Sequence, residues 1–186
     1  MNLASRISTL VALVSLVFVV GCGPKVVIVK QASPNPMTAT TKFVVAKPTY
    51  DAGFNVGGRS EQDWMAAKKD ETQDKWAADK VAFADTFVEG FMTQKDAVLL
   101  ENAQGAGIFG VKTRYLRYEP GHYVGVSSAP AGLDAVIEFV DASGAVVDEI
   151  RIYAKADGFS AGERGRLCAR QIGEATAKYL KKRIGL

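Results

Sequence analysis

The chain has 186 residues, 48% hydrophobic and 23% charged, with 18 Gly and 6 Pro, a balance that excludes disorder, collagen and coiled coil. Lys and Arg total 23 against 20 Asp and Glu, and a formal charge of +3 is too even to imply a nucleic-acid partner. One His and two Cys leave almost no material for a zinc, iron–sulfur or haem site, so neither metal nor cofactor is expected.

Residues 1–21 read as an export signal. Arg6 closes a short positive segment, and Ile7–Val20 is an apolar run broken only by Ser8, Thr9 and Ser15. That run is too short to span a membrane, which takes about 20 residues, and it suits a secretory core. Val19-Val20-Gly21-Cys22 follows, with small Gly21 directly before the cysteine. These four residues resemble the bacterial lipobox, whose cysteine thiol receives diacylglycerol and becomes the first residue of the mature chain. The resemblance implies lipidation at Cys22; the alternative is an uncleaved anchor with an incidental cysteine. Each buried methylene contributes about 0.8 kcal/mol, so two or more acyl chains of the palmitate kind hold a protein on a bilayer stably. Gly23 stands where an Asp would be the inner-membrane retention signal of enteric bacteria, and by that resemblance the address is the periplasmic face of the outer membrane.

Gly23–Thr41 carries Pro24, Pro34 and Pro36 among Ser, Thr and Asn and reads as a tether. The lipidated end and tether therefore span 22–41, and a single domain spans 42–186. Within the tether, the apolar run Val26–Val29 is compatible with an edge strand or docking segment. Lys42–Lys47 is a predicted strand stopped by Pro48, and Asp51–Arg59, with its three glycines, a predicted loop. Ser60-Glu61-Gln62-Asp63 fits the capping box, so a helix begins there and runs to about Gln94, with a break near Asp70–Asp74. Trp64 and Trp76 anchor its charged first half. Ala77, Val81, Ala84, Val88 and Phe91, widened by Phe83 and Phe87, put an apolar stripe on its second half. Val98–Leu100, Val111–Tyr118 and Tyr123–Val126 read as strands. Leu133–Val140 and Val146–Tyr153 make a hairpin across Asp141–Gly144, and Ala161–Ile184 is a closing helix. The expected fold is α+β: a β-α-β-β-β-α sandwich, its sheet mainly antiparallel or mixed and its helices packed on one face.

Candidate chemistry is sparse. Gly105-Ala106-Gly107-Ile108-Phe109-Gly110 is a literal GxGxxG, but a dinucleotide fingerprint needs a helix next, and strand-like VKTRYLRY follows. It reads as a connection between strands. His122, in a Pro-Gly-His turn with no second imidazole, reads as a surface residue. Glu138, Asp141, Asp148 and Glu149 gather on the hairpin, where carboxylates do acid–base work only if burial separates their pKa values; the alternation there favours a solvated face. Cys168 shares a helix face with Ile172, Ala175 and Tyr179 and reads as a small buried hydrophobe rather than a reactive thiol.

Arg114, Tyr115, Arg117, Tyr118, His122 and Tyr123 mix cations and aromatics as recognition surfaces do. Simple alternation sends Arg114 and Tyr118 to one face and Tyr115 and Arg117 to the other. Lys178, Lys181, Lys182 and Arg183 suit a helix carboxyl end, an anionic partner being the other reading. His122 would have to serve every Ser/His/Asp or Cys/His arrangement and none is legible around it, so no catalytic residue and no enzyme is expected.

Leu116–Ile184 resembles an uncharacterised family of small bacterial lipoproteins. There a strand ends in Pro-Gly, here Pro120-Gly121, and an alternating strand, here Ala135–Val140, enters a D-x-x-(T/S)-G-x-V hairpin. This sequence supplies Asp141, Ser143, Gly144 and Val146 for that hairpin, and a C-terminal helix follows. The fold this implies is similar to the amino-terminal domain of TolB and related envelope lipoproteins, whose members act as accessory or assembly subunits in the periplasm. The resemblance brings no catalytic residues. The function it implies is a non-enzymatic envelope lipoprotein binding a protein partner, through an apolar or aromatic patch at the sheet edge or around Trp64 and Trp76. The alternative is a lipid- or glycan-binding auxiliary of an export system, which needs a concave apolar pocket.

Overall fold

The computed structural model describes residues 23–38, 41–93, 107–124 and 127–185. The expected signal peptide, Cys22 and the expected strand Val98–Leu100 lie outside the described residues. The elements in chain order are β1 (Lys25–Gln31), β2 (Lys42–Val45), β3 (Thr49–Val56), β4 (Arg59–Ser60), α1 (Glu61–Ala66) and α2 (Asp70–Met92). They continue with β5 (Ile108–Glu119), β6 (His122–Val124), β7 (Ser127–Ala129), β8 (Ala131–Val140), β9 (Val146–Ala156) and α3 (Ala161–Ile184). Among the described residues no helix is long and apolar enough to cross a membrane.

The fold is α+β. A seven-stranded sheet runs β1-β9-β8-β5-β3-β4, with β2 beside β5 as well. β2 and β3 both lie parallel to β5, β2 along Ile108–Val111 and β3 along Arg114–Tyr118, so they form one edge interrupted at Ala46–Pro48. The β1/β9, β9/β8, β8/β5 and β3/β4 pairs are antiparallel. β6 and β7 make a separate small hairpin. Helices α2 and α3 cover one face of the sheet, and the core between them holds Phe83, Phe87, Tyr115, Tyr118, Ile137, Ile150, Ile152 and Ile172, all fully buried.

Local signals set the helix starts. Ser60 accepts from the Asp63 amide and begins α1, and Ser160 accepts from the Glu163 amide and begins α3. The long helix expected from Ser60 onwards is divided at Ala67–Lys69, and Asp70 and Glu71 then supply acidic residues to the first turn of α2. The Asp141 carboxylate accepts from the Ser143 and Ala145 amides and from the Ser143 hydroxyl, closing the β8–β9 turn. The Ser143 hydroxyl bond above all holds the Asp141 carboxyl below its ordinary range.

Three expectations need correction, and one reading is met. Asp51–Arg59 is not simply a loop, because Phe54 and Val56 alternate into the core and pull the segment into β3, leaving Asp51–Gly53 in a register shift against β5. The reading that is met is Val26–Val29, inside the expected tether, as an edge strand: it belongs to β1, paired with β9 between Lys25 and Gln31. Its apolar side chains find a sheet edge, and Val26 packs on the core. Alternation fails in β5: the register shifts between Tyr115 and Arg117, so Tyr115 and Tyr118 both enter the core while Arg114 and Arg117 are exposed. Lastly, Asp148 is not on a solvated face. It is wholly buried, accepting from Tyr179 Oη at 2.7 Å, Arg183 Nε at 2.8 Å and the Ala32 amide at 2.9 Å. A buried carboxylate persists when paired and fully hydrogen-bonded, and here its partners come from α3 and from the chain just beyond β1.

Candidate functional site

Trp76, the aromatic anchor expected in the first helix, sits in α2 at the centre of a cluster of rings. It lies 5.7 Å from Tyr118 and 6.5 Å from Phe54 in stacked arrangements, 5.2 Å from Trp64 and 6.0 Å from Phe83. Tyr50 on β3 continues the array, 4.8 Å from Phe54 edge-on and 5.4 Å from Tyr115. Such pairs add about 0.5–1.5 kcal/mol each beyond the area they bury, and together they make a stiff wall.

That wall is one side of a groove of about 500 Å³ between β3, α1 and α2, lined by Lys47, Pro48, Tyr50, Glu61, Met65, Trp76, Ala77, Lys80, Val81 and Ala84. Its polar groups are engaged with one another. Trp76 Nε1 donates to Glu61 Oε1 at 2.7 Å, and Lys80 Nζ donates to the two oxygens of Glu61 at 2.8 and 3.1 Å. Lys80 Nζ also stands 4.3 Å over the Tyr50 ring, while Tyr50 Oη donates to the Lys80 carbonyl at 2.8 Å. Burial pushes the Tyr50 phenol well above its ordinary range, and the charges of Glu61 and Asp79 push the same way. At the rim, Lys47 pairs with Asp85 at 2.6 Å. Val81 is 60% exposed at the groove mouth. Chemically, the site offers an open apolar trough between neutralised charges.

The other singled-out residues are dispersed. Cys168 is buried, and burial pushes its thiol up to about 12. His122 is exposed on β6, its Nε2 3.1 Å from Ser127 Oγ. Gly107 precedes β5, and Ile108–Gly110 lies within that strand; the start of the GxGxxG lies outside the described residues. Glu138 lies 3.8 Å from Arg114, which pairs with Asp51 at 2.7 Å. Among the described residues no group of three or more His, Cys, Asp or Glu comes together to hold a metal.

Glu61, Tyr50 and Lys80 were not singled out from sequence. The available signals were Trp76 and Lys80, one turn apart on one helix face, and the acidic residue opening α1. Asp134 was also missed; it is buried and clamped by Arg151, whose Nε donates to Oδ1 at 2.9 Å.

No protein-family model and no curated protein matches the chain. Among solved structures it is similar to the PelC dodecamer from Paraburkholderia phytofirmans in two crystal forms. Each is 9% identical, with a TM-score of 0.42 over 81% of this chain and 95% of that one. A third, the crystal structure of an uncharacterized protein, is 10% identical, with a TM-score of 0.39 over 81% of this chain and 98% of that one.

Proposed function

We propose that the chain is a lipoprotein of the bacterial cell envelope, acylated at Cys22 and held on the periplasmic face of the outer membrane. It acts non-enzymatically, as an accessory or assembly subunit that binds a protein partner through the groove between β3 and α2. The observation that carries the binding role is the groove: an apolar trough lined by Tyr50 and Trp76, each backed by further rings, and open at Val81. Rigid aromatic walls hold a partner's side chain at little cost in conformational entropy. Glu61 with Lys80 and Asp85 with Lys47 neutralise one another, and Tyr50 keeps its proton, so the trough presents surface rather than reagents. The address is supported by the apolar run Ile7–Val20 before Gly21-Cys22, and by the resemblance of Leu116–Ile184 to envelope accessory lipoproteins.

The second reading, a lipid- or glycan-binding auxiliary, is favoured by the groove volume of about 500 Å³, within the ordinary span for small-ligand sites. A photo-crosslinking residue placed at Val81 in living cells separates the two. Under the partner reading it captures one envelope protein, Met65→Glu abolishes the capture, and a crosslinker at Ala142 on the far turn captures nothing. Equal capture at Val81 and Ala142, or none at either, overturns the partner reading; a copurifying lipid or glycan lost with Met65→Glu establishes the other. Separately, Cys22→Ser releases the protein into the soluble periplasm, and retention on washed membranes overturns the lipoprotein assignment.

A further inference from the structure

Three covalent links separate Cys22 from Lys25, the first residue of β1. An extended chain advances at most about 3.6 Å per residue, so Lys25 stands within roughly 11 Å of that cysteine. From Lys25 onward the chain is paired with β9, so the sheet itself begins at that distance, close to one Debye length from the headgroups of an anchoring bilayer.

The register places other elements at the same end of the sheet. Lys25 pairs with Tyr153 near the carboxyl end of β9, and Glu119, Gly132 and Lys155 align across the ends of β5, β8 and β9. Two apolar side chains project there. Phe159, in the connection from β9 to α3, is 82% exposed, and Val124, at the end of β6, is 71% exposed.

One buried guanidinium ties the base of the β6–β7 hairpin to the loop that carries Phe159. Arg164 donates from Nε and Nη2 to the Pro120 carbonyl at 3.0 and 2.8 Å, at the base of the β6–β7 hairpin, and from Nη1 to the Gly158 carbonyl at 2.8 Å. The Phe159 amide donates to Glu163 Oε2 at 3.0 Å, fixing the loop further. Arg117 and Lys155 lie 6.0 and 5.7 Å from the Tyr153 ring, the ring of the residue paired with Lys25. Glu119, Asp157 and Glu163 lie at the same end as Lys25, Arg117 and Lys155, so charges of both signs meet there.

Exposed apolar side chains scattered singly need no explanation. Here two stand at one end of the sheet, next to the point where the chain leaves for Cys22. Apolar side chains projecting beside an acylated chain end, with lysine and arginine within the same sheet end, suit an interfacial membrane contact. We propose that this end of the sheet rests on the bilayer that holds the Cys22 lipid. Phe159 and Val124 enter the headgroup layer, and Lys25, Arg117 and Lys155 face its anionic groups. The contact rests on the lipoprotein reading above and adds an orientation: the Asp141–Gly144 turn points away from the membrane, into the periplasm.

The test uses the full acylated chain, purified from membranes and reconstituted into phosphatidylethanolamine–phosphatidylglycerol vesicles. Nitroxide labels are placed through Phe159→Cys, Val124→Cys and, as the distal reference, Ala142→Cys; buried Cys168 stays unlabelled. At 159 and 124 the expected result is a shift on reconstitution towards relaxation by oxygen and away from relaxation by an aqueous nickel chelate, with position 142 unmoved. Lys155→Glu should weaken the shift at 124. Labels at 159 and 124 as aqueous as at 142, on protein that mass spectrometry shows acylated at Cys22, overturn the contact and leave lipidation standing. Labels shielded from both relaxants indicate a covering protein and overturn it as well. Absence of acyl chains on Cys22 removes the anchor, and with it both readings.

Discussion

On one flank of α2 the chain has no room for a single added methyl group; on the other it leaves a trough open to solvent. A Cβ built on Gly165 of α3 would stand 2.0 Å from the Phe83 ring, and one on Gly173 would stand 2.2 Å from the Phe87 carbonyl oxygen. The two helices meet backbone to ring and backbone to backbone, with Arg166–Asp79 and Arg170–Glu89 ion pairs at 3.3 and 3.1 Å outside the seam. The opposite flank carries Ala77, Val81 and Ala84 towards β3, and there the walls are rings and the mouth stays open. One helix thus serves two purposes. Where small residues face it, contact is complete and structural; where rings and paired charges face it, a surface remains for something else.

The comparison is easiest to break at the closed flank. Gly173→Val places branched carbon against a main-chain carbonyl that cannot move aside, and the expected loss is about 3 kcal/mol, read as a lower urea midpoint. Had the seam been loose, the midpoint would hold.

At the open flank the wall itself is sharpened by pH. Burial raises the phenols of Tyr50, Tyr115 and Tyr118 above their ordinary value near 10. Above that pH the unfolded chain has released protons that the folded chain keeps, so stability falls as pH rises, and it is undiminished below it. Tyr50→Phe removes the bond to the Lys80 carbonyl, costing about 1 kcal/mol near neutrality. It should also make the alkaline decline shallower by one proton, measured by denaturant titration from pH 8 upward. An unchanged slope would mean that Tyr50 is not enclosed.

The smallest effect belongs to the rim. Lys47 is 70% exposed in its pair with Asp85, and Lys47→Ala should change stability by less than about 0.5 kcal/mol. A larger loss would show that the groove's edge is part of the framework rather than a free surface.

Much of the fold was legible because its signals are local. Ser160 before an apolar stripe and Gly185 after three cations bracket α3, and Asp141–Gly144 marks its turn through a carboxylate bonding its own neighbours. The groove was legible only in outline. Trp64 and Trp76 pointed to an aromatic patch, but Trp76 is 5% exposed, and the trough exists because β3, which extends through part of the expected loop Asp51–Arg59, holds Tyr50 opposite α2.

Sequence by itself determined the α+β order, the helix starts and the hairpin, since capping, turn chemistry and periodicity act over a few residues. Only the tertiary structure decided the rest. The β5 register shift turned both tyrosines inward, a choice made by the neighbouring strand. Asp148 became buried because Arg183 and Ala32 reach it from opposite ends of the chain. And Lys25–Gln31 joined the sheet because β9 offered an edge. In each case the deciding partner lies far along the chain, where no local pattern records it.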